Sequence, residues 1–204
     1  IKGLSYSYLK KYAQAIESYQ EAIQLNPENP ITYFNLGRAF QDTGRLEEAL
    51  SSYKKALKQN PQYLEAIFCM GTVFVKKGIF STAINYFNKA LSINPNHVLT
   101  LMHLGKLQGQ MGQVKSATLS FRKACENQEK FNENQEKFNL SKLNLGATLC
   151  TQGKFDEGLD VLKQGLDLDT TCIKAHSTLL FHSNYSPNLS AEEIYSHYER
   201  FDNI

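Results

Sequence analysis

The chain has 204 residues, with 22 basic and 20 acidic side chains and a formal net charge of +2. So balanced a charge argues against a dedicated nucleic-acid binder and favours a protein partner. No run of about 18 apolar residues exists to span a bilayer, no signal-peptide pattern opens the chain, and the start at Ile1 reads as a piece cut from a longer protein. Four cysteines, Cys69, Cys125, Cys150 and Cys172, show neither a Cys-x-x-Cys pair nor zinc spacing. They are expected to be reduced, mostly buried thiols of a cytoplasmic protein with no membrane or nucleic-acid partner.

Taken in chain order, the elements repeat. Pro27, Pro61 and Pro95 lie 34 residues apart, and each closes an Asn-Pro pair. Leu36-Gly37 recurs as Met70-Gly71 and Leu104-Gly105, and Tyr53 as Phe87 and Phe121. Ala49 recurs as Ala83 and Ala117, Ala56 as Ala90 and Ala124, and the turn glycines are Gly44, Gly78 and Gly112. A fixed period of this kind marks a stack of identical supersecondary units. Each unit reads as helix A, a turn, helix B and a link ending near the proline, which cannot continue a helix. A partial unit covers 1–29, with helix B from about Tyr12. Complete units follow at 30–63, 64–97, 98–131 and 139–172, then a half unit at 173–184. Small residues at Gly37, Ala49 and Ala56 are expected to let helices A and B approach. Tyr33, Phe40 and Tyr53 are expected to fill the gap to the next unit. In the unit at 139–172, Gly158 and Gly165 replace the two alanines, and each glycine costs roughly 0.5–1 kcal/mol inside a helix. That unit is expected to be the softer one.

The stretch 127–139 reads NQEKFNENQEKFN, a tandem heptad. Removing seven residues would restore the 34-residue phase, and seven residues is nearly two helical turns. One extended helix over about 114–136 is therefore expected, with a flexible loop as the alternative. Beyond the half unit, where Ala175, Leu179 and Leu180 face inward, Tyr185-Ser186-Pro187-Asn188-Leu189 reads as a turn. Ser190 and Glu193 then form a capping box. Ile194, Tyr198 and Phe201, joined by Tyr195, make 185–204 end in an amphipathic helix that needs something to bury it.

These columns resemble the tetratricopeptide (TPR) repeat. The resemblance implies an all-α, right-handed superhelix of antiparallel helix pairs, a solenoid whose A helices line a concave groove that binds protein. A narrower resemblance rests on Ala175-His176-Ser177-Thr178-Leu179-Leu180, Tyr185-Ser186-Pro187, Ser190-Ala191-Glu192-Glu193-Ile194 and the His197, Arg200, Phe201 pattern. It is similar to the passage from TPR array to catalytic region in bacterial O-GlcNAc-transferase-like proteins. That resemblance implies a substrate-recognition region whose glycosyltransferase segment would lie beyond Ile204. It also implies an asparagine ladder for the peptide backbone at Asn35, Cys69, His103, Asn144 and Thr178, of which only Asn35 and Asn144 keep the amide that can both donate and accept.

The groove residues expected to meet a partner are thus Asn35, Arg38, Cys69, Thr72, His103, Lys106 and Asn144. Phe34, Phe68, Met102 and Leu143 form an apolar stripe beside them, half of it core. The rival is a free-standing scaffold or co-chaperone adaptor that grips a peptide C-terminus. Such a clamp would need lysine and asparagine where Phe34, Arg38 and Cys69 stand. No catalytic residue, metal site or cofactor is expected: there is no phosphate loop, nucleophile elbow or i, i+4 histidine pair. The edge Leu4, Tyr6, Tyr8 and Leu9 of the partial unit is expected to be exposed and to self-associate.

Overall fold

The structure is a computed structural model that describes residues 2–131, 135–168 and 173–202. These residues form twelve α-helices and no strand, in two compact units. The first unit, residues 1–95, holds α1 (Lys2–Tyr8), α2 (Tyr12–Leu25), α3 (Pro30–Asp42), α4 (Leu46–Gln59), α5 (Leu64–Lys76) and α6 (Phe80–Ile93). The second, residues 96–204, holds α7 (Val98–Gln110), α8 (Val114–Phe131), α9 (Gln135–Thr151), α10 (Phe155–Leu168), α11 (Ile173–Ser183) and α12 (Ala191–Asp202).

Within the first unit the helices pack as pairs. In α4 the buried residues Ala49, Leu50, Tyr53 and Ala56 recur at helical spacing, while Glu47 and Glu48 sit in the first turn, where the helix dipole favours them. Tyr53 is fully buried and lies flat on the backbone of α3: a Cβ at Gly37 would stand 2.6 Å from its ring. Tyr19 lies over Gly3 and Phe87 over Gly71 in the same way. Tyr53 reaches the next unit as expected, with its hydroxyl beside Cys69 of α5; its ring also lies on Gly37 of its own pair, where only glycine leaves room for an aromatic ring. The alanines at 49, 56, 83 and 90 are wholly buried, as a close helix crossing requires.

One turn joins each A helix to its B helix. Gly44 and Gly78 take φ of 77° and 73°, the left-handed region that glycine enters at little cost. The Arg45 amide donates back to the Phe40 carbonyl at 2.8 Å, the bond that closes a Schellman turn. At the B-helix ends Asn60 is extended, as a residue before proline must be, and its side-chain oxygen accepts from the Gln62 amide at 3.2 Å.

The second unit repeats the plan with different side chains. Phe121 lies against Gly105, but Leu162 takes that place against Gly146. Gly158 does not merely soften α10: a Cβ there would stand 2.5 Å from the Cys150 sulfur and 2.9 Å from the Gly146 carbonyl oxygen. The helix expected over 114–136 is corrected. α8 ends at Phe131 and α9 already includes Gln135, with 132–134 outside the described residues. The added residues lengthen both neighbours, to 18 and 17 residues against 14 in α4 and 13 in α3.

At the C-terminal end α12 starts with the expected box: the Glu193 amide donates to Ser190 Oγ at 3.2 Å, and Glu193 accepts from the Ser190 amide at 2.8 Å. Its buried side chain is His197, not Tyr198, which is 41% exposed. The hydroxyl of Ser183, on α11, donates to the Leu179 carbonyl at 2.7 Å and sits 2.8 Å from His197 Nδ1. A polar pair between α11 and α12 thus takes the place expected for aromatics. Ala175 and Leu179 face inward as expected, and His176 joins them. Phe201's side chain lies outside the described residues.

Candidate functional site

The seven expected groove residues fall on four A helices, α3, α5, α7 and α9. In the first unit Arg38 is exposed, and Asn35, Cys69 and Thr72 are half-buried. Arg38 lies 6.0 Å from the centre of the Phe34 ring, and Phe34 packs on Tyr53 and Tyr63 with centroids 6.0 and 5.0 Å away. Thr72 is already engaged: its hydroxyl donates to the Cys69 carbonyl at 2.8 Å and accepts from Gln41 Nε2 at 3.2 Å. Gln41 in turn accepts from the Tyr53 hydroxyl at 2.9 Å. One side chain therefore ties the core of the α3–α4 pair to α5.

Burial shapes the titration of this region. It raises the Tyr53 phenol beyond any working pH, with the neighbouring Cys69 adding to the effect. The Cys69 thiol is pushed up to about 11 by burial, against the pull of the Tyr53 hydroxyl. A thiol in that state is a poor nucleophile. The buried Cys150 is likewise raised to about 11 by burial. Cys125 is buried too, none of these three cysteines is in a disulfide, and Cys172 lies outside the described residues.

In the second unit His103 and Lys106 are exposed and Asn144 is half-buried. Crowding by neighbouring atoms, then the charge of Lys106, lowers the His103 pKa and favours neutral imidazole. Thr178 is half-buried. The apolar stripe divides as expected: Phe34 and Phe68 are half-buried, whereas Met102 and Leu143 are core.

Sequence reasoning passed over a cavity of about 350 Å³ in the first unit, where Asn35 and Arg38 meet Ser7, Lys10, Tyr19 and Asp42. Its signal was present, since Lys10 stands 34 residues before the turn glycine Gly44. Among the described residues no three His, Cys, Asp or Glu side chains are gathered to hold a metal ion, and no helix is long and apolar enough to cross a membrane.

The family model described as TPR repeat matches residues 3–44 and 37–78. The model described as the fourth ARM domain of tetratricopeptide repeat protein 21 matches residues 67–192. No curated protein sequence matches significantly. Among solved structures the chain is similar to YrrB, described as a TPR protein with an unusual peptide-binding site, at 24% identity over 93% of each chain with a TM-score of 0.73. A tetratricopeptide repeat protein from Parabacteroides merdae is 21% identical over 99% of this chain and 77% of that one, with a TM-score of 0.72. A chain of the APC/C hetero-tetramer Cut9–Hcn1 is 18% identical over 98% of this chain and 38% of that chain, with a TM-score of 0.76. At these identities the likeness is one of fold. With the repeat columns, the ring-on-glycine pairs and a family model spanning residues 67–192 in agreement, the chain belongs to the tetratricopeptide repeat family.

Proposed function

We propose that this chain is a protein-binding module that holds an extended peptide along the outward positions of its A helices. The observation that carries the reading is the contrast on α3: Leu36, Gly37, Ala39 and Phe40 are buried, while Asn35 and Arg38 remain accessible and open onto a cavity of about 350 Å³. Cys69 and Thr72, with His103, Lys106 and Asn144, are the further contacts proposed. The two asparagines are the backbone-binding groups, because an amide pairs with both halves of a peptide unit. The test is an array of extended peptides read with the chain and with its Asn35→Ala, Asn144→Ala variant. Binding that is equal in the two proteins would remove the asparagines from the site.

Placing this module in an O-GlcNAc-transferase-like protein is the narrower reading. It rests on the resemblance of residues 175–201 alone, and none of the family descriptions or solved structures named above refers to a transferase. The C-terminal clamp is the weaker alternative, since Phe34, at a lysine position of such a clamp, is packed on Tyr53 and Tyr63. Self-association belongs to the proposal through Leu4 and Leu9, which are 54% and 61% exposed. Tyr6, expected on that edge, packs against the core instead, and the side chain of Tyr8 lies outside the described residues. A sedimentation profile independent of concentration would withdraw this last element.

A further inference from the structure

Four A-to-B turns of this chain place glycine in the left-handed region, at Gly44, Gly78, Gly112 and Gly153. The equivalent turn of the first pair holds Lys10, with φ of 57°. Its turn is otherwise the same, for the Lys11 amide donates to the Tyr6 carbonyl at 2.8 Å, as Arg45 does to Phe40. A lysine there bears a conformational cost that glycine avoids, and backbone strain of this kind gathers where a side chain is needed. The Lys10 side chain lines the cavity of about 350 Å³ between α1, α2 and α3, and Arg38 lines it too. Among the described residues neither cation enters an ion pair. Asp42 is the acid in the lining, so the cavity carries a net charge near +1, with Ser7, Tyr19 and Asn35 adding hydroxyl and amide groups.

We infer that this cavity is a specificity pocket for an acidic side chain, glutamate or aspartate, of a peptide bound in the groove. The inference rests on the peptide-binding reading above and names what that peptide carries. One carboxylate matches two cations already offset by one acid, whereas a doubly charged phosphate would meet repulsion from Asp42. Uncharged donors around the cations suit a carboxylate that keeps its hydrogen bonds when it leaves water. The pocket differs from a C-terminal clamp, whose positions are Phe34, Arg38 and Cys69, because Lys10 comes from the turn and the ligand is internal to the peptide.

The experiment uses short peptides acetylated at one end and amidated at the other, so that no terminal carboxylate exists. Each sequence is made with Glu, Gln or Lys at one central position and titrated by fluorescence anisotropy against the whole chain. Glu peptides are expected to bind about tenfold tighter than their Gln partners, the worth of one charged hydrogen bond. That preference should shrink as salt is raised. Lys10→Gly should abolish the preference while raising the thermal midpoint, since it restores the favoured turn residue; Arg38→Gln should abolish it too. Loss of the preference in a more stable protein separates recognition from misfolding. Peptides that bind without a Glu preference, or a preference that survives Lys10→Gly, overturn the pocket and leave the groove standing. No binding by any peptide overturns both.

Discussion

The α3–α4 and α9–α10 pairs fill the same repeat column in two ways. In α3–α4 an aromatic ring lies on a single glycine, and its hydroxyl reaches through Gln41 to Thr72 on α5. In α9–α10 the ring is replaced by Leu162, and two glycines, Gly146 and Gly158, bring backbone against backbone. The first pair is held by a large side chain with a polar end, the second by close approach of the helices themselves. One repeat position therefore does not carry one rule of substitution: what alanine does there depends on whether a ring or a carbonyl lies opposite.

The comparison can be broken most forcefully at the ring. Tyr53→Ala should cost about 3–5 kcal/mol, as truncation of a buried aromatic does, and should also release Gln41 and Thr72. Chemical denaturation of the variant, with hydrogen exchange at α5, checks both parts. Next comes Gly158→Ala. Helix propensity alone predicts a gain of roughly 0.5–1 kcal/mol, whereas the Cys150 sulfur and the Gly146 carbonyl predict a net loss of about 1–3 kcal/mol from overpacking. A more stable variant would show that α9 and α10 can separate freely.

Smaller changes sharpen the contrast at the two ends. Ser190→Ala removes the cap of α12 and should cost about 1 kcal/mol, seen as faster amide exchange in α12 ahead of the rest. Lys10→Gly has the opposite sign and should stabilise by about 0.5–1 kcal/mol, the left-handed cost less the chain entropy of glycine. The smallest expected effect is with pH. Crowding by neighbouring atoms lowers the pKa of both His103 and His182, with the charge of Lys106 adding to it at His103, so the unfolded chain binds more protons than the folded one as pH falls through about 6.5. Stability should fall modestly from pH 7 to pH 5. His103→Gln with His182→Gln should flatten that slope, and an unchanged slope would assign it to other groups.

Much of the fold was legible because it rests on residues with few alternatives. A glycine at φ above 70° and an Asn-Pro pair at a helix end each admit one local structure, so the 34-residue register could be read directly. What escaped reading depends on partners distant in sequence. Nothing local says that Tyr53 lies on Gly37, or that a Cβ at Gly158 would strike Cys150. The buried face of α12 was expected through Ile194, Tyr198 and Phe201, because nothing local says that Ser183 lies opposite His197. For the proposed site, the period placed Asn35 and Arg38 on the accessible side of α3. Lys10 stands in a column whose glycines serve the backbone alone, so the period gives no sign of a side chain at work there.

The side-chain bonds that tie neighbouring helix pairs are short in sequence. Gln41 to Thr72 spans 31 residues, Arg122 to Glu157 spans 35, Asn188 to Asp156 spans 32, and Gln152 to Val114 spans 38. Within each unit such ties couple a pair to its neighbour in sequence. A chain so tied can assemble progressively during synthesis, each pair docking once the next repeat has left the ribosome. Pulled by its ends, it should unravel in steps about one repeat long, and a single rupture of the whole chain in a force–extension record would contradict that picture.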